Sequence, residues 1–334
     1  MALPISVLDQ SPLLGGASAG EAIAATLTLA READALGYAR YWLAEHHATR
    51  GLADPAPEIL LGRLTAETTR IRIGSGGVLL PHYAALKVAE QFRILEALAP
   101  GRIDLGIGRA PGGSHRVSLA LESAEIHRFP QQVRDLVDFL DATMPAQHPF
   151  ARLVAMPRGE TSPEVWLLGS SDYGAALAAQ FGLPFCFAHF ISGDAVEITR
   201  RYRRDFRPSS RAAAPRVMLA VAAIAAPTPE EAEERAAVVD LWRLRIRRAA
   251  DLPVPTLAEA QAYPYTEYDR AEIAHNRGRL FLGTASGLVA RLEERAAAHE
   301  ADELMVLTIA PTFEDRLTSY RLLAHAALTP VSSA

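Results

Sequence analysis

The sequence contains one cysteine and one lysine, and these two scarcities narrow the classes of protein it can encode. With Cys186 alone among 334 residues, the chain can form neither an internal disulfide nor a cysteine-rich zinc or iron–sulfur site. A disulfide-stapled secreted scaffold is therefore excluded. The lysine, Lys87, lies within a predicted helix, whereas an aldolase that forms a Schiff base needs a lysine at a strand end. That class of enzyme is disfavoured.

Long apolar runs and an excess of positive charge are also missing. No apolar stretch approaches the roughly 18 residues that a membrane span requires. The N-terminal sequence Met-Ala-Leu-Pro-Ile-Ser lacks the positive region and the apolar stretch of a signal peptide. The net charge is −5, with basic and acidic residues interspersed, so there is no basic stripe for a nucleic acid backbone. We expect a cytoplasmic protein with neither membrane nor nucleic acid as a partner.

What the sequence does contain is an alternation of short apolar runs and longer helical patterns along nearly the whole chain. This alternation is typical of βαβ units around a parallel sheet. Eight strands are predicted, at residues 5–9, 38–44, 71–80, 103–108, 165–169, 185–189, 217–223 and 304–309. Helices are predicted at residues 19–36, 57–68, 84–98, 130–143 and 174–181. Eight strands favour an α/β fold, a single (β/α)8 TIM barrel domain over residues 1–334, rather than an open doubly wound sheet.

Two stretches are longer than a crossover between strands requires. Residues 111–163 and 227–301 are therefore predicted to be insertions. The second contains a charged helical run at 229–248, a stretch rich in proline and tyrosine at 252–268, and a helix at 286–300. We expect the insertions to form lids or walls of a substrate site. Their mixed apolar and tyrosine content suits a bulky, partly aromatic molecule.

Titratable residues gather at the end of the second predicted strand, in the run Glu45-His46-His47. The active site of a barrel lies at the C-terminal ends of its strands. Because neighbouring strand residues point to opposite faces, only one of the two histidines can face the barrel while the strand stays regular. That histidine is predicted to be catalytic or to face a cofactor, and a purely structural role stays equally open. Metal binding is disfavoured, since no second cluster of ligand residues follows another strand and His189 stands alone.

Three glycines, Gly74, Gly76 and Gly77, occur near the end of the third predicted strand. Glycine within a strand indicates either a bulge or the close approach of a flat ligand, and both interpretations remain open here. At the rim of a barrel, the missing side chains would leave room for a planar ring.

The fourth predicted strand ends in a short glycine-rich run and an arginine. Gly106 and Gly108 resemble a dinucleotide fingerprint only superficially, because Pro111 stands where the third glycine should fall. A Rossmann site is therefore rejected. Arg109, at the end of the strand, can hold a phosphate through its planar fork of donors, or it can be a surface arginine.

The turn after the fifth predicted strand suits an anion. Residues 169–174 place Ser170 and Ser171 directly before an apolar helix, where free backbone N–H groups and the positive end of the helix dipole meet. A plain N-cap is the alternative interpretation. Because this turn and Arg109 follow adjacent strands, we expect them to bind one phosphate together.

In their order and spacing, these motifs resemble the bacterial luciferase-like family of flavin-dependent monooxygenases over most of the chain. The resemblance is carried by residues 41–47 (YWLAEHH), 72–82 (RIGSGGVLLPH), 89–91 (AEQ), 95–102 (LEALAPGR), 106–109 (GIGR), 169–171 (GSS) and 178–184 (AAQFGLP). It implies a (β/α)8 barrel that binds FMN at its C-terminal rim. Gly108 stands where the luciferases have a cysteine, and Ser170 where they have a glutamate, so light emission is not part of the prediction.

The resemblance also implies roles for individual residues. His46 matches the catalytic histidine of the family, and Glu45 matches its neighbouring carboxylate. Gly76 and Gly77 match the position of a non-prolyl cis peptide beside the flavin ring. The positions that bind the flavin phosphate are matched by Arg109, Gly169, Ser170, Ser171, Tyr173 and Gly174.

The function implied by the resemblance is that of an FMN-dependent monooxygenase, which uses reduced flavin and O2 to oxygenate a small organic substrate, with secondary metabolism as one setting. A separate flavin reductase is expected, since the sequence shows no second nucleotide-binding motif, and members of the family are often homodimers. Two alternatives stay open. One is an F420- or NAD(P)H-linked oxidoreductase on the same barrel, and the other is a non-catalytic flavin-binding protein. The Glu45-His46-His47 cluster speaks against the second.

Overall fold

The computed structural model describes residues 3–123 and 126–328. Within these two stretches, no helix is both long and apolar enough to cross a membrane. The predicted insertion at 111–163 includes residues 124 and 125, which lie outside the described residues. The prediction of a single domain extends beyond them at both ends and stays a prediction.

Nine parallel strands form the sheet. They are β1 Ile5–Asp9, β2 Arg40–Leu43, β3 Arg72–Leu79, β4 Ile103–Gly108, β5 Glu164–Gly169, β6 Phe185–Ala188, β7 Val217–Ala225, β8 Leu280–Gly283 and β9 Glu303–Leu307. Neighbours are hydrogen bonded in the order β6-β5-β4-β3-β2-β1-β9-β7, and the pairing of β6 with β7 closes the circle. The closed eight-stranded parallel barrel predicted from the sequence is confirmed.

The strand β8 stands outside this circle. It pairs in parallel with residues 222–225, the C-terminal end of β7. It falls within the predicted insertion at 227–301 and was not predicted, because four residues are too few for an alternating pattern to stand out. The C-terminal end of β7 therefore pairs with a strand outside the barrel, and this pairing attaches part of the insertion to the sheet.

Helices separate the strands and cover the outside of the barrel. They are α1 Ala19–Leu36, α2 Pro57–Glu67, α3 Ala85–Leu98, α4 His115–Ala120, α5 Phe129–Asp141, α6 Asp172–Phe181, α7 His189–Ser192, α8 Val196–Asp205, α9 Pro229–Arg247, α10 Leu257–Ala262, α11 Glu267–Arg277, α12 Ala285–Ala298 and α13 Phe313–Leu328, with 3-10 turns at Leu80–His82 and Ile126–Arg128. Each helix predicted from the sequence is present within two residues of its expected ends, whereas α4, α7, α8, α10, α11 and α13 were missed. His189, predicted to end the sixth strand, instead begins α7.

Alternation along the strands produces two apolar cores. In β2, Tyr41 and Leu43 pack in the layer between the sheet and the helices, whereas Trp42 packs inside the barrel. Cys186 also lies in the inner core and is buried, and burial raises the pKa of its thiol. Every residue of β7 is buried, as expected for a strand covered on both faces. This double burial leaves only the ends of the strands for polar chemistry.

The N-terminal end of the barrel is filled by a network of paired charges. Arg40, the first residue of β2, donates to Asp104 and Glu164 at 2.8 Å each and to Glu303 at 3.0 Å. Asp104 also accepts from the indole of Trp42 at 2.9 Å. Burial alone would raise the pKa of Glu164, but Arg40 and a second arginine outweigh it and hold that pKa at about 2. Opposite charges therefore neutralise one another at this end.

Candidate active site

The C-terminal ends of the strands surround a cavity of about 440 Å³. Its apolar lining includes Leu8, Leu79 and Phe129. The residues predicted for the site that also line it are Glu45, His46, Gly76, Gly77, Arg109, Gly169, Ser170, Ser171 and Gly174. Tyr173, the remaining one, does not line the cavity but lies against Arg109. The structure thus brings together predicted site residues from four separate segments of the chain.

One end of the cavity is suited to an anion. The guanidinium carbon of Arg109 lies 4.1 Å from the centre of the Tyr173 ring, so a cation–π interaction stabilises the arginine in this position. Ser171 precedes α6 as its N-cap, and its side chain makes no capping hydrogen bond. The hydroxyl and the first N–H groups of the helix are therefore available to a ligand.

Two glycines make the turn that holds this anion site compact. A Cβ on Gly169 would lie 3.4 Å from the Cα of Gly174, and a Cβ on Gly174 would lie 3.3 Å from the Cα of Gly169. The Ser170 carbonyl accepts a hydrogen bond from the Ser192 hydroxyl at 2.6 Å. The start of α6 is thereby fixed both to β5 and to the segment after β6.

The glycines of β3 lie where the strand is irregular. The peptide bond between Gly76 and Gly77 is cis, and the register of β3 against β4 shifts between Gly76 and Val78. A Cβ on Gly77 would lie 2.6 Å from the carbonyl oxygen of Gly106. The segment therefore contains the strand irregularity of one interpretation and also lines the cavity, whereas the approach of a flat ligand stays a prediction.

Glu45 is occupied by contacts within the protein. Its buried carboxylate accepts from the backbone N–H of Leu79 at 3.0 Å and from the hydroxyl of Tyr83 at 2.8 Å. The ring of His47 lies 2.5 Å away through Nε2. Burial and then the charge of Glu45 raise the pKa of Tyr83, which remains a hydrogen-bond donor. Through these contacts, Glu45 joins the end of β2 to the segment that follows β3.

The two histidines have different surroundings, as strand alternation predicts. His47 contacts Glu45 and packs edge-on against His82, with ring centres 5.4 Å apart. His46 lines the cavity, and its buried Nδ1 atom has no hydrogen-bond partner in the part of the chain that the structure describes. Burial, followed by the nearby His47, lowers the pKa of His46 to about 4. The His46 ring is therefore neutral at neutral pH and has hydrogen-bonding capacity left for a ligand.

A second cavity, of about 530 Å³, adjoins the first. Gln10, His46 and Phe190 line both. Its other walls come from α9, β8, the end of β9 and residues 112–114, so both predicted insertions contribute. The lining includes Trp242 but, among the described residues, no tyrosine. Two tyrosines of the second insertion, Tyr263 and Tyr265, instead border a separate surface cavity. The expectation that the insertions form walls of a substrate site stays a prediction.

The cavity residue Gln10 and one polar cluster were missed from the sequence. Gln10 directly follows β1, so its position at a strand end was a usable signal. The cluster joins His189, Asp194 and His299, whose ligand-type atoms lie within 4.8 Å of one another, although His299 is far away in sequence. The Asp194 oxygen that contacts His189 also pairs with Arg295 at 2.7 Å. The prediction of no metal site stays a prediction.

Comparison with known proteins leads to the same family as the sequence motifs. A family model described as luciferase-like monooxygenase matches residues 3–304. The chain belongs to this family. The uncharacterized protein YwcH of Bacillus subtilis is 46% identical over 96% of this chain and 98% of its own length. The N-acetyl-S-alkylcysteine monooxygenase of the same organism is 35% identical over 97% and 98%, respectively. The resemblance inferred from the motifs is confirmed.

Solved structures of luciferase-like proteins share the barrel. The crystal structure of apo-MsnO8 matches with a TM-score of 0.90 at 39% identity, covering 98% of this chain and 99% of that one. The oxygenating constituent of 3,6-diketocamphane monooxygenase from Pseudomonas putida, solved with FMN, reaches 0.71 at 17% identity, covering 98% of each chain. An F420-dependent secondary alcohol dehydrogenase also reaches 0.71, at 13% identity, covering 98% and 99%. The last two show the fold alone.

Proposed function

We propose that this luciferase-like protein is an FMN-dependent monooxygenase, which takes reduced flavin from a separate reductase and uses O2 to oxygenate a small organic substrate. One observation carries the proposal. The cavity that contains the anion site and the Gly76–Gly77 peptide shares His46 with a second, largely apolar cavity. Two ligands, one with a phosphate and a flat ring and one apolar, can therefore meet at this histidine.

The residues fit FMN at both ends of the first cavity. Arg109 and the start of α6 offer charge and free N–H groups to the phosphate. Gly76 and Gly77 present no side chain to the ring, and Leu8 and Leu79 provide apolar contact. When bound, reduced FMN supplies the electrons that activate O2.

His46 acts as a neutral hydrogen-bonding group between the two ligands. Its unpartnered Nδ1 gives it capacity to bind the reacting oxygen or the substrate. The neighbouring carboxylate, Glu45, is a positioning residue, because its oxygens already accept from Leu79 and Tyr83. The apolar walls exclude water while both ligands are bound.

Flavin titration tests the cofactor assignment. Purified protein is titrated with FMN, reduced FMN and F420, and either form of FMN is expected to bind more tightly than F420. The substitution Arg109→Ala should weaken FMN binding by about 1.5–3 kcal/mol, as for a lost charged hydrogen bond. Arg134→Ala is the matched control, since Arg134 also lies over an aromatic ring, Phe181, but does not line the cavity. Tighter binding of F420 would favour the deazaflavin alternative.

Oxygen labelling tests the reaction. One relative is named for N-acetyl-S-alkylcysteines, so these are the first substrates to supply, together with FMN, a flavin reductase and ¹⁸O2. A product that carries one labelled oxygen supports the monooxygenase. Flavin binding with no turnover across a broad substrate panel would favour the non-catalytic alternative, and substrate oxidation without label would favour a dehydrogenase. Sedimentation velocity of the same protein tests the proposed homodimer.

A further inference from the structure

We propose that the second cavity binds the carboxylate of an organic acid through Arg243, so that the substrate is an apolar molecule with one anionic end. This inference rests on the proposed function, because it names the substrate class of the same site. Arg243 lines the same cavity as His46.

The helix α9 presents Arg243 within an apolar wall. Val239, Trp242, Arg243 and Ile246 are spaced three and four residues apart, which places them on one face of the helix, and all four line the cavity. The guanidinium of Arg243 donates from Nη1 to the backbone carbonyl of Asn276 at 3.1 Å. Among the described residues, no carboxylate forms an ion pair with it. Most of its donors therefore remain available.

The nearby acids are already paired elsewhere. Asp240, one turn earlier on α9, accepts two hydrogen bonds from Arg277, from Nε at 2.8 Å and from Nη2 at 2.7 Å. Glu233 accepts from the same arginine at 2.9 Å. Their charges are thus largely offset by Arg277, and the positive charge of Arg243 is left without a partner of its own.

A second arginine adds to this positive charge. Arg279 donates to the carbonyl of Ile191 and to the side chain of Asn276, and its buried Nε has no partner. Burial lowers the pKa of Arg243 to about 10, and the nearby charge of Arg279 acts in the same direction. An anion placed beside Arg243 would counter both causes of the lowered pKa. Its hydrogen bonds would replace the lost solvation, and its charge would offset the repulsion between the two arginines.

The remaining walls define the rest of the ligand. They are predominantly apolar and include Leu52, Phe190, Ala222, Leu280, Leu307 and Ile309. A volume of about 530 Å³ lies within the range of small-molecule sites. A small, fully polar ion would leave these walls without contact, whereas an acid with an aliphatic or aryl body covers them. The planar fork of an arginine matches a carboxylate in geometry as well as in charge.

Calorimetric titration with matched pairs of ligands tests the inference. The probes are 4-phenylbutyrate with its amide, and N-acetyl-S-benzylcysteine with its methyl ester, each added to the FMN-saturated protein. We expect each acid to bind about 10- to 100-fold more tightly than its neutral partner. Arg243→Met should remove this preference, and Arg243→Lys should restore part of it. Arg247→Met is the control, since Arg247 lies on the same helix but pairs with Glu272 at the surface.

The outcomes separate the inference from the proposed function. Equal binding of acid and neutral partner, or no binding of either, overturns the inference while the FMN titration stands. A preference for the acid that survives in Arg243→Met also overturns it. If instead FMN fails to bind but the acids still bind through Arg243, the proposed function falls and the carboxylate site remains. Thermal unfolding of each variant checks that the fold is retained.

Discussion

The two ends of the barrel differ in how their charged and titratable groups are paired. At the N-terminal end, Arg40 is surrounded by carboxylates and no member of the network lacks a partner. At the C-terminal end, within residues 3–123 and 126–328, Nδ1 of His46 has no hydrogen-bond partner and Arg243 forms no ion pair with an acid. Paired charges stabilise the closed barrel only as a complete set, whereas unpaired groups retain capacity for a ligand. The paired charges at the N-terminal end therefore serve the stability of the fold, whereas the unpaired groups at the C-terminal end are available to a ligand.

Removing Arg40 should have the largest effect. Arg40→Met leaves the buried Glu303 without its cationic partner and removes one of the two arginines that contact Asp104, so we expect the free energy of unfolding to fall by about 3–5 kcal/mol. Urea unfolding measures it. Arg63→Met is the control, because Arg63 forms an exposed pair with Glu67 one turn away, and its loss should cost less than about 1 kcal/mol. Similar losses in both variants would show that the network contributes no more than a surface pair.

Removing His46 should change the reaction rate strongly and the stability little. His46→Leu should lower the oxygenation rate by about 100-fold or more, as for the loss of a positioned acid–base group, while stability at pH 7 changes little. His47→Leu should instead lower stability, because the buried carboxylate of Glu45 loses a contact. Rate and unfolding measurements on both variants make the comparison. An unchanged rate in His46→Leu would overturn the role given to this residue.

The acid stability of the flavin-free protein gives a second test of His46. Its folded-state pKa of about 4 lies below the ordinary value of 6.5, so the unfolded chain binds more protons between these values. The contribution to stability is therefore present above pH 6.5 and is lost as the pH falls towards 4. Each unit of the pKa difference corresponds to about 1.4 kcal/mol. His46→Leu should lose less stability over this interval than the wild type, and parallel curves would contradict the shift.

A smaller effect is expected from the glycines that line the first cavity. Gly77→Ala would place a methyl group 2.6 Å from the backbone oxygen of Gly106, which cannot move without disturbing β4. We expect a loss of about 1–3 kcal/mol in unfolding free energy and weaker FMN binding. Gly108→Ala is the matched control, because its methyl group would lie 3.5 Å from Leu79, an ordinary contact. Equal tolerance of both substitutions would contradict this assignment.

The smallest expected effect concerns Asp54, in the segment after β2. Its Oδ2 is buried without a partner, and burial raises its pKa to about 7. The protonated form is favoured by folding, so this contribution is present below pH 3.8 and is lost as the pH rises through 7. Asp54→Asn should therefore stabilise the protein by about 1 kcal/mol at pH 8 and by nothing at pH 4. Asp205→Asn, an exposed control, should give no such gain.

Much of the first cavity could be predicted because its residues follow strands. His46, Arg109 and Ser170 each lie directly after a recognisable strand, and the barrel brings all strand ends to one rim. The sequence pattern was therefore enough to group them. The role of Glu45 could not be predicted in the same way, since its partners Leu79 and Tyr83 lie at the end of the next strand and just after it, and nothing local indicates that they bond to Glu45.

The second cavity could not be predicted to the same degree. Arg243 belongs to a helix in which charged residues are frequent, and only the packing of α9 against β8 determines which of them faces inward. The four-residue strand β8 gave no periodic signal. Tyrosines of residues 252–268 were expected in a substrate wall because of composition, and the structure places Tyr263 and Tyr265 at a cavity separate from the second one. Composition describes a segment and does not fix its orientation.

The two cavities are lined largely by different parts of the chain. This has a consequence for how related proteins can acquire new substrates. Every lining residue of the first cavity precedes residue 192, whereas half of the second cavity follows residue 221. Under the proposed function, exchange of α9 and β8 would change the substrate preference and leave the proposed flavin site unchanged. A chimera that carries residues 227–301 of a relative is the natural unit for transplanting specificity within this family.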